Sequence, residues 1–207
     1  MESNQFIIKV AGEEDIQYVH EILEEIERAA KERGTGIARR SEEYVALKMR
    51  EKKVIIAFTK EGVWAGFCYI ETWSNKQYVA NSGLIVAKAF RKSGLARLIK
   101  SKIFSYSREQ FPDAKIFGLT TGQAVMKINN ELGYRPVTYS ELTQDEIFWK
   151  GCESCVNYDI LKSKERKNCI CTAMLYHPEE HKEDSKKTDD EKLLSKFKKI
   201  KKMIWKK

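Results

Sequence analysis

The sequence predicts an α/β domain with a mixed, mostly antiparallel central sheet that is flanked by helices. Three runs rich in β-branched and aromatic residues follow one another at 54–59, 63–73 and 78–87. The turn-forming segments KEG and SNKQ separate these runs, as in an antiparallel meander. After residue 94 the hydrophobic period changes, and helix, strand and helix follow in turn. This alternation is typical of elements that layer on a sheet.

Before the meander, the sequence predicts one strand and two helices. The run FIIKV at 6–10 is strand-like, and the apolar residues of 16–26 recur at helical spacing. The glycines of GTG at 34–36 end that helix. Ser41 is a good N-cap for a second helix over 41–52.

After the meander, the sequence predicts two helices and two further strands. A period near 3.6 covers 95–106 and ends at the segment PDA. The run KIFGLTT at 115–121 is strand-like, and the helical pattern of 122–134 stops at a glycine. A last β-like run occupies 169–178, whereas residues 135–168 show little periodicity.

Composition and charge favour one folded domain followed by a basic tail. The chain has 207 residues, of which 42% are hydrophobic, and a net charge of +8. Eleven lysines and five acids lie after residue 180, so the tail carries +6 and the rest of the chain is nearly neutral. We therefore expect a domain over 1–180, with an irregular insertion at 141–168, and a lysine-rich, helical tail over 181–207. The near-neutral domain argues against nucleic acid as its partner.

The expected location follows from what the sequence lacks. It shows no secretory signal and no run of the roughly 18 apolar residues that a membrane span needs. Its five cysteines are then expected to be reduced thiols rather than disulfides. We expect a cytoplasmic protein without a membrane span, and the sequence leaves open whether it forms a homodimer.

The stretch AFRKSGLA, residues 89–96, has the features of an anion-binding loop. It joins the third meander strand to a helix, and a helix N-terminus offers free N–H groups and a positive dipole end. Gly94 allows close approach of the backbone. The alternative is an ordinary surface loop with two basic residues. The candidate anion-binding residues are Arg91, Lys92, Ser93, Gly94, Leu95 and Ala96.

Over residues 6–140 the chain resembles the GNAT superfamily of N-acyltransferases. The resemblance lies in the pattern Arg-x-x-Gly-x-Ala, in the element order and in the pair Gly133-Tyr134 after the fourth helix. It implies a GNAT-like fold with a C-terminal extension. It also implies that the anion is the pyrophosphate of acetyl-CoA or another short acyl-CoA, and that the acceptor is a small-molecule amine.

A narrower resemblance concerns the acceptor. The stretches RGTGIARRSEEY, GFCYIETW and FWKGCESCVNYDIL are similar to a bacterial branch of GNAT enzymes in arginine biosynthesis. This implies acylation of the α-amine of glutamate, with acetyl and succinyl donors both open. Acetylation of another amine or of a protein lysine is an alternative. A non-catalytic, zinc-containing nucleic-acid-binding module is the alternative from another class.

The resemblance also implies site residues on the strands. The backbone N–H of Val86 would polarise the thioester carbonyl, and Leu84 and Ile85 would line the pantetheine path. A base is harder to assign. Glu71 is the only acid within the meander strands and shares a face with Phe67, so it is a candidate base. A solvated Glu71 with a water chain as the base is the alternative.

The general acid is in doubt. The tyrosine that serves this role in the family corresponds to Asn129, and an amide can donate a hydrogen bond but no proton. Gly122 stands where the family has an asparagine. Tyr134, Tyr139 and Tyr158 are the alternative acids.

The loop RGTGIARRS occupies the position that borders the acceptor in the family. Arg39 and Arg40 could bind a carboxylate there, because a guanidinium pairs with it in bidentate fashion. The alternative is two solvated arginines ahead of a helix.

Four cysteines have a spacing that can hold a metal. They form a Cys-x-x-Cys pair and, thirteen residues later, a Cys-x-Cys pair. Four thiolates would close one structural Zn²⁺ site. Buried reduced thiols and a redox pair are the alternatives. The candidate ligands are Cys152, Cys155, Cys169 and Cys171.

Overall fold

A computed structural model of the chain describes residues 5–34 and 39–181. The chain divides into two compact units, Met1–Tyr176 and His177–Lys207. In the second unit the described residues form a 3-10 turn, Pro178–His181. The helical tail predicted after residue 181 lies outside the described residues. None of the described helices is long and apolar enough to cross a membrane.

The first unit contains a seven-stranded mixed sheet, which confirms the predicted fold class. The strand order is β1-β2-β3-β4-β5-β7-β6. Every neighbouring pair is antiparallel except β4 and β5, which are parallel. The strands are β1 Phe6–Val10, β2 Val54–Thr59, β3 Trp64–Trp73, β4 Tyr78–Val86, β5 Lys115–Thr120, β6 Arg135–Val137 and β7 Thr172–Tyr176.

Four longer helices cover the two faces of the sheet. Helices α1 and α2 pack on one face, and α3 packs on the other. The expected cap is present, because the Ser41 hydroxyl accepts a hydrogen bond from the N–H of Tyr44 at 3.2 Å. Gly34 ends α1 in the left-handed conformation. The helices are α1 Val19–Arg33, α2 Glu42–Arg50, α3 Leu95–Gln110 and α4 Gln123–Glu131, and a 3-10 turn, Glu13–Tyr18, precedes α1.

The segment 141–168, expected to be irregular, contains two short helices. These are α5, Glu146–Lys150, and α6, Tyr158–Ser163. Trp149 and Leu161 are buried against β5 and β7 in a third apolar cluster. This cluster orders the segment even though its sequence has a weak hydrophobic period.

Strands β4 and β5 pair only at their beginnings. Their register runs from Tyr78 opposite Lys115 to Ala80 opposite Phe117, although both strands continue further. A bulge in β4 follows, where the register between β3 and β4 shifts and Gly83 has a φ of 67°. The two parallel strands therefore separate toward their carboxyl ends and leave an opening in the middle of the sheet.

Gly66 of β3 allows α3 to lie close to the sheet. A Cβ at this position would be 2.5 Å from Cδ1 of Ile99 and 3.0 Å from the carbonyl oxygen of Ile85. We expect Gly66→Ala to lower the free energy of unfolding by about 1–3 kcal/mol, because overpacking forces the helix away from the sheet. Denaturant unfolding measures this. Gly118→Ala in β5 is the control, since its nearest neighbour would be 4.0 Å away. Equal stability of the two variants would contradict the close packing of α3.

Candidate active site

The end of β4 directs a backbone N–H group into the opening between β4 and β5. The N–H of Ala87 donates to the carbonyl of Ala65 at 3.0 Å, so the facing pair Gly66–Val86 is a non-hydrogen-bonded pair of the antiparallel ladder. The N–H and C=O of Val86 therefore point away from β3, toward the side on which β5 has already separated. This is where a carbonyl oxygen can be polarised.

The loop that follows β4 has the geometry of an anion site. Lys92 and Gly94 have positive φ values of 68° and 85°, and α3 begins directly after them. The Ser93 hydroxyl donates to the carbonyl of Phe90 at 2.7 Å, which closes the loop. Within the described residues, no acceptor is present for the backbone N–H groups of Lys92, Ser93, Gly94 and Ala96. Successive free amides at the positive end of a 16-residue helix favour a bound anion.

Arg91, expected to add positive charge to this loop, lies against α1 instead. Its Nε donates to the carbonyl of Val86 at 3.4 Å, and its NH1 and NH2 groups bind Glu32 at 3.1 Å and Glu25 at 2.8 Å. Lys88 also binds Glu32, at 3.0 Å. Lys88 and Arg91 together lower the pKa of the Glu32 carboxyl to about 2. Arg91 thus connects the end of β4 to α1, whereas Lys92 has no ion-pair partner in the described part of the chain.

Glu71 is buried in a polar network on the opposite face of the sheet from α3. Only 4% of Glu71 is exposed, so a solvated Glu71 is wrong. The Tyr44 hydroxyl donates to one carboxylate oxygen at 2.5 Å, and the Ser82 hydroxyl donates to the other at 2.7 Å. An Arg40 nitrogen lies 3.8 Å from the first oxygen. Burial and the Glu71 charge raise the pKa of Tyr44, which therefore stays protonated and donates.

Arg40 is held in one orientation by its neighbours. Its Nε donates to the Tyr69 hydroxyl at 2.9 Å and its NH1 to the carbonyl of Arg39 at 3.0 Å. Tyr69 reaches this position because it lies against Gly83, where a Cβ would be 2.6 Å from the tyrosine ring. The Arg40 side chain is 23% exposed, so the alternative that both arginines are solvated is wrong for Arg40. Arg39 is exposed.

The segment after α5 lies beside these two arginines. The Ser154 hydroxyl accepts from the backbone N–H of Arg39 at 3.0 Å. A Cβ on Gly151 would be 3.9 Å from an Arg40 nitrogen. The pairing connects residues 115 positions apart in the sequence, so a sequence pattern had no means of showing it.

Two of the three alternative general acids, Tyr134 and Tyr139, already donate hydrogen bonds, and the third, Tyr158, is half-buried beside a small cavity. Asn129 is 1% exposed, and its amide nitrogen lies 3.7 Å from the Met174 sulfur. The Tyr134 hydroxyl donates to Asn81 at 3.1 Å, and burial raises the pKa of Tyr134 well above its usual value. The Tyr139 hydroxyl donates to a backbone carbonyl at 2.8 Å. The hydroxyl groups of Tyr44 and Ser82, which contact Glu71, were not among the site residues predicted from the sequence.

The four paired cysteines converge on one small cavity, although they come from two separate segments. The cavity has a volume of about 30 Å³. Its lining includes Cys152, Cys155, Cys169 and Cys171, together with Leu119, Tyr139, Asn157, Tyr158 and Leu161. Cys68 is buried elsewhere, in the core under α3. Across residues 5–34 and 39–181, however, no group of three or more His, Cys, Asp or Glu side chains is arranged to hold a metal ion, so the predicted zinc site is not supported.

The architecture defines an α/β domain with an opening between two parallel strands and, at that opening, a loop whose backbone amides are free within the described residues. Solved acetyltransferase structures share this architecture. N-acetylglutamate synthase from Neisseria gonorrhoeae, complexed with coenzyme A and N-acetyl-glutamate, superposes with a TM-score of 0.59 and 17% identity over 83% of this chain. The match covers 35% of the synthase, so this chain spans about a third of its length.

Two further structures match over most of their own length. Phosphinothricin acetyltransferase from Sinorhizobium meliloti, in complex with AcCoA, has a TM-score of 0.55 and 13% identity, over 84% of this chain and 88% of that one. An acetyltransferase of the GNAT family from Staphylococcus aureus has a TM-score of 0.56 and 17% identity, over 68% of this chain and 90% of that one. No family model and no curated protein matches the sequence. The chain has the fold of the GNAT acetyltransferases, and at these identities the likeness shows the fold alone.

Proposed function

We propose that the protein is an acyl-CoA-dependent N-acyltransferase that acts on a small amine. One observation carries the proposal: the free amides of the loop Lys92–Ala96 lie at the end of the strand whose last N–H, that of Val86, points into the opening of the sheet. A ligand with a pyrophosphate and a thioester can meet both. Acetyl-CoA bound to neighbours of the same fold supports this assignment.

In this proposal the backbone holds the acyl donor. The amides of the loop and the α3 N-terminus bind the pyrophosphate, with Lys92 as the side-chain cation. The pantetheine arm passes along β4 beside Leu84 and Ile85, of which Ile85 is mostly buried and offers chiefly its backbone. The Val86 N–H donates to the thioester carbonyl and stabilises the oxyanion that forms when an amine attacks.

The polar network around Glu71 accepts the proton that the acceptor amine must lose. Both oxygens of Glu71 already accept hydrogen bonds from hydroxyl groups. A proton leaving the attacking ammonium therefore reaches the carboxylate through the hydroxyl of Ser82 or Tyr44, each of which passes its own proton to Glu71 and takes one from the amine. Arg40 stands beside this network and is the group that binds an acceptor carboxylate.

These features favour an amino acid as the acceptor. The preferred acceptor is the α-amine of glutamate, which would place the enzyme in arginine biosynthesis, and the donor is acetyl-CoA or succinyl-CoA. The gonococcal synthase structure, with N-acetyl-glutamate and coenzyme A bound, supports this choice. Another small amine or a protein lysine is the alternative acceptor.

Turnover with a panel of amino acids tests the proposal. We expect release of free CoA from acetyl-CoA or succinyl-CoA with glutamate, at a higher kcat/KM than with lysine or with glutamate amidated at its α-carboxyl. Release of the thiol, followed with a thiol reagent, and mass spectrometry of the N-acyl product are the measurements. Absence of turnover with every acceptor, together with salt-dependent RNA or DNA binding by the chain, would favour the non-catalytic alternative.

A further inference from the structure

Lys100 of α3 is a charged side chain in an apolar interior. Only 2% of Lys100 is exposed, and it is one of the residues that α3 buries. Its Nζ lies 5.3 Å from the centre of the Tyr134 ring. Within the described residues, Lys100 has neither an ion-pair partner nor a hydrogen-bond partner. A buried ammonium without a partner lowers stability, so stability does not explain its presence.

The position of Lys100 on α3 directs it toward the opening between β4 and β5. The Asn81 amide nitrogen donates to the Ser107 hydroxyl at 2.8 Å, and Asn81 is the first residue of β4 after its pairing with β5 ends. Lys100 precedes Ser107 by seven residues, so the two side chains share one face of the helix, about 10 Å apart along its axis. The beginning of α3 lies beside Gly66, which faces Val86. Lys100 therefore lies between the levels of Asn81 and Val86, where the parallel strands have separated.

The groups that face the Lys100 ammonium are neutral. The Cys68 thiol of β3 interacts with it electrostatically, and that thiol donates to the carbonyl of Ser82 at 3.3 Å. After α4, the Tyr134 ring meets it, and the Tyr134 hydroxyl donates to Asn81. Burial raises the pKa of the Cys68 thiol to about 11 and that of Tyr134 well above its usual value. Burial lowers the pKa of Lys100 to about 8, so the ammonium is charged at neutral pH and gives up its proton readily.

Acyl transfer would create a negative charge in this opening. After the amine has attacked the thioester carbonyl, the C–S bond breaks and its electron pair stays on the sulfur of CoA. Asn129, at the position of the family's acid, has no proton to give, and its Oδ1 is buried without a partner within the described residues. An ordinary thiol has a pKa of about 8.5, close to that of Lys100, so a proton passes from the ammonium to the sulfur at little cost.

We propose that Lys100 is the catalytic acid of the acyl transfer, in which its ammonium stabilises the leaving thiolate of CoA and donates a proton to the sulfur. This inference rests on the proposed function. The step leaves CoA as a thiol and Lys100 as a neutral amine, which takes a proton back from solvent. The acceptor ammonium loses two protons as the amide forms, one to the Glu71 network and one to solvent. Each turnover therefore releases one proton.

The alternative is a lysine that only packs on the Tyr134 ring. Lys100→Met separates the two roles, because methionine fills a similar volume and has no charge. A packing role predicts a lower melting temperature and an unchanged pH dependence. Under our proposal the melting temperature is kept or raised, since an unpaired buried charge has been removed. The kcat with acetyl-CoA or succinyl-CoA and glutamate should fall by at least about 100-fold.

The pH profile adds a readout that a packing role would not change. In the unmodified enzyme, kcat/KM should fall as the pH rises above about 8, because Lys100 then loses its proton. Lys100→Met and Lys100→Leu should both lack this decrease and should bind CoA with unchanged affinity at neutral pH in a calorimetric titration. Lys102→Met, at an exposed position of the same helix, is the control and should keep both kcat and the decrease.

Titration of the thiol of bound CoA tests the contact without turnover and without a variant. The ultraviolet absorbance of the thiolate is followed against pH, and the complex with desulfo-CoA is subtracted to remove the protein's own cysteines and tyrosines. The unmodified protein should lower the pKa of the bound thiol below that of free CoA, and Lys100→Met should not. CoA that binds with an unchanged thiol pKa, or a folded Lys100→Met variant with full kcat, would overturn this inference alone. Absence of CoA binding by the unmodified chain would overturn the proposed function and this inference with it.

Discussion

Gly94→Glu is expected to abolish binding of acyl-CoA while the fold survives. The new carboxylate would extend from the centre of the anion loop, at the N-terminus of α3. Like charges about 4 Å apart near a protein surface repel by up to about 4 kcal/mol. Since about 1.4 kcal/mol is a factor of ten in affinity, a repulsion of about 3–4 kcal/mol should raise the Kd for CoA by about 100- to 700-fold. Calorimetric titration with CoA measures this.

Two controls separate the charge from the backbone effect. Gly62 has a φ of 84°, nearly that of Gly94 at 85°, and a Cβ at either position would meet nothing within 4 Å. Gly62→Glu therefore adds the same strain and the same charge in the turn between β2 and β3, and CoA affinity should not change. Gly94→Ala adds only the strain, of about 1–2 kcal/mol. If Gly94→Glu binds CoA as tightly as Gly62→Glu does, the loop is not the pyrophosphate site.

Arg40→Ala is expected to raise the acceptor KM by about 30-fold or more, because removal of one partner of a charged, hydrogen-bonded pair costs about 2–5 kcal/mol. The KM for acyl-CoA should stay within a small factor of the unmodified value, since the anion loop lies elsewhere. Arg40→Lys should lie in between, because lysine keeps the charge and loses the planar fork that holds Tyr69. Steady-state kinetics with each substrate varied in turn decides the matter.

The control variants for Arg40 test both location and fold. Arg50→Ala removes an arginine from the exposed end of α2, whose nearest carboxylate is 3.7 Å away, and should change neither KM. Arg39→Ala measures whether the exposed Arg39 side chain contributes to the acceptor KM. Melting temperatures show whether loss of the Arg40 charge beside the buried Glu71 unfolds the chain. An Arg40 variant that folds and keeps its acceptor KM would contradict the carboxylate clamp.

Arg91 shows how a motif residue can serve a role that its position in the motif does not suggest. The pattern Arg-x-x-Gly-x-Ala indicates a cation at the anion loop, but the guanidinium is taken up by Glu25, Glu32 and the carbonyl of Val86. Glu25 and Glu32 lie on one face of α1, about 60 residues before Arg91. No local pattern distinguishes an arginine that meets a ligand from one that connects a helix to a strand.

The sequence by itself determined the order and type of the main elements and the place of the Gly94 turn before α3. Hydrophobic spacing marked the strands of the meander and helices α1 to α4, because each depends on a local alternation of apolar and polar residues. The turn at Gly94 was predictable because glycine tolerates a positive φ, and the helix after it was predictable from its own apolar spacing. The short strand β6 and the helices α5 and α6 were not, since their order comes from apolar contacts with β5 and β7 rather than from a period of their own.

Tertiary structure alone decided how the side chains of the site are used. The Glu71 carboxylate meets Tyr44 and Ser82 only because α2 packs on β3 and because β4 pairs with β3. The opening at Val86 exists because parallel pairing of β4 and β5 stops at Ala80, just before the bulge at Gly83, whose position depends on the register with β3. Such contacts join residues far apart in the chain. Their energies depend on burial and distance in the folded state, which local sequence patterns do not encode.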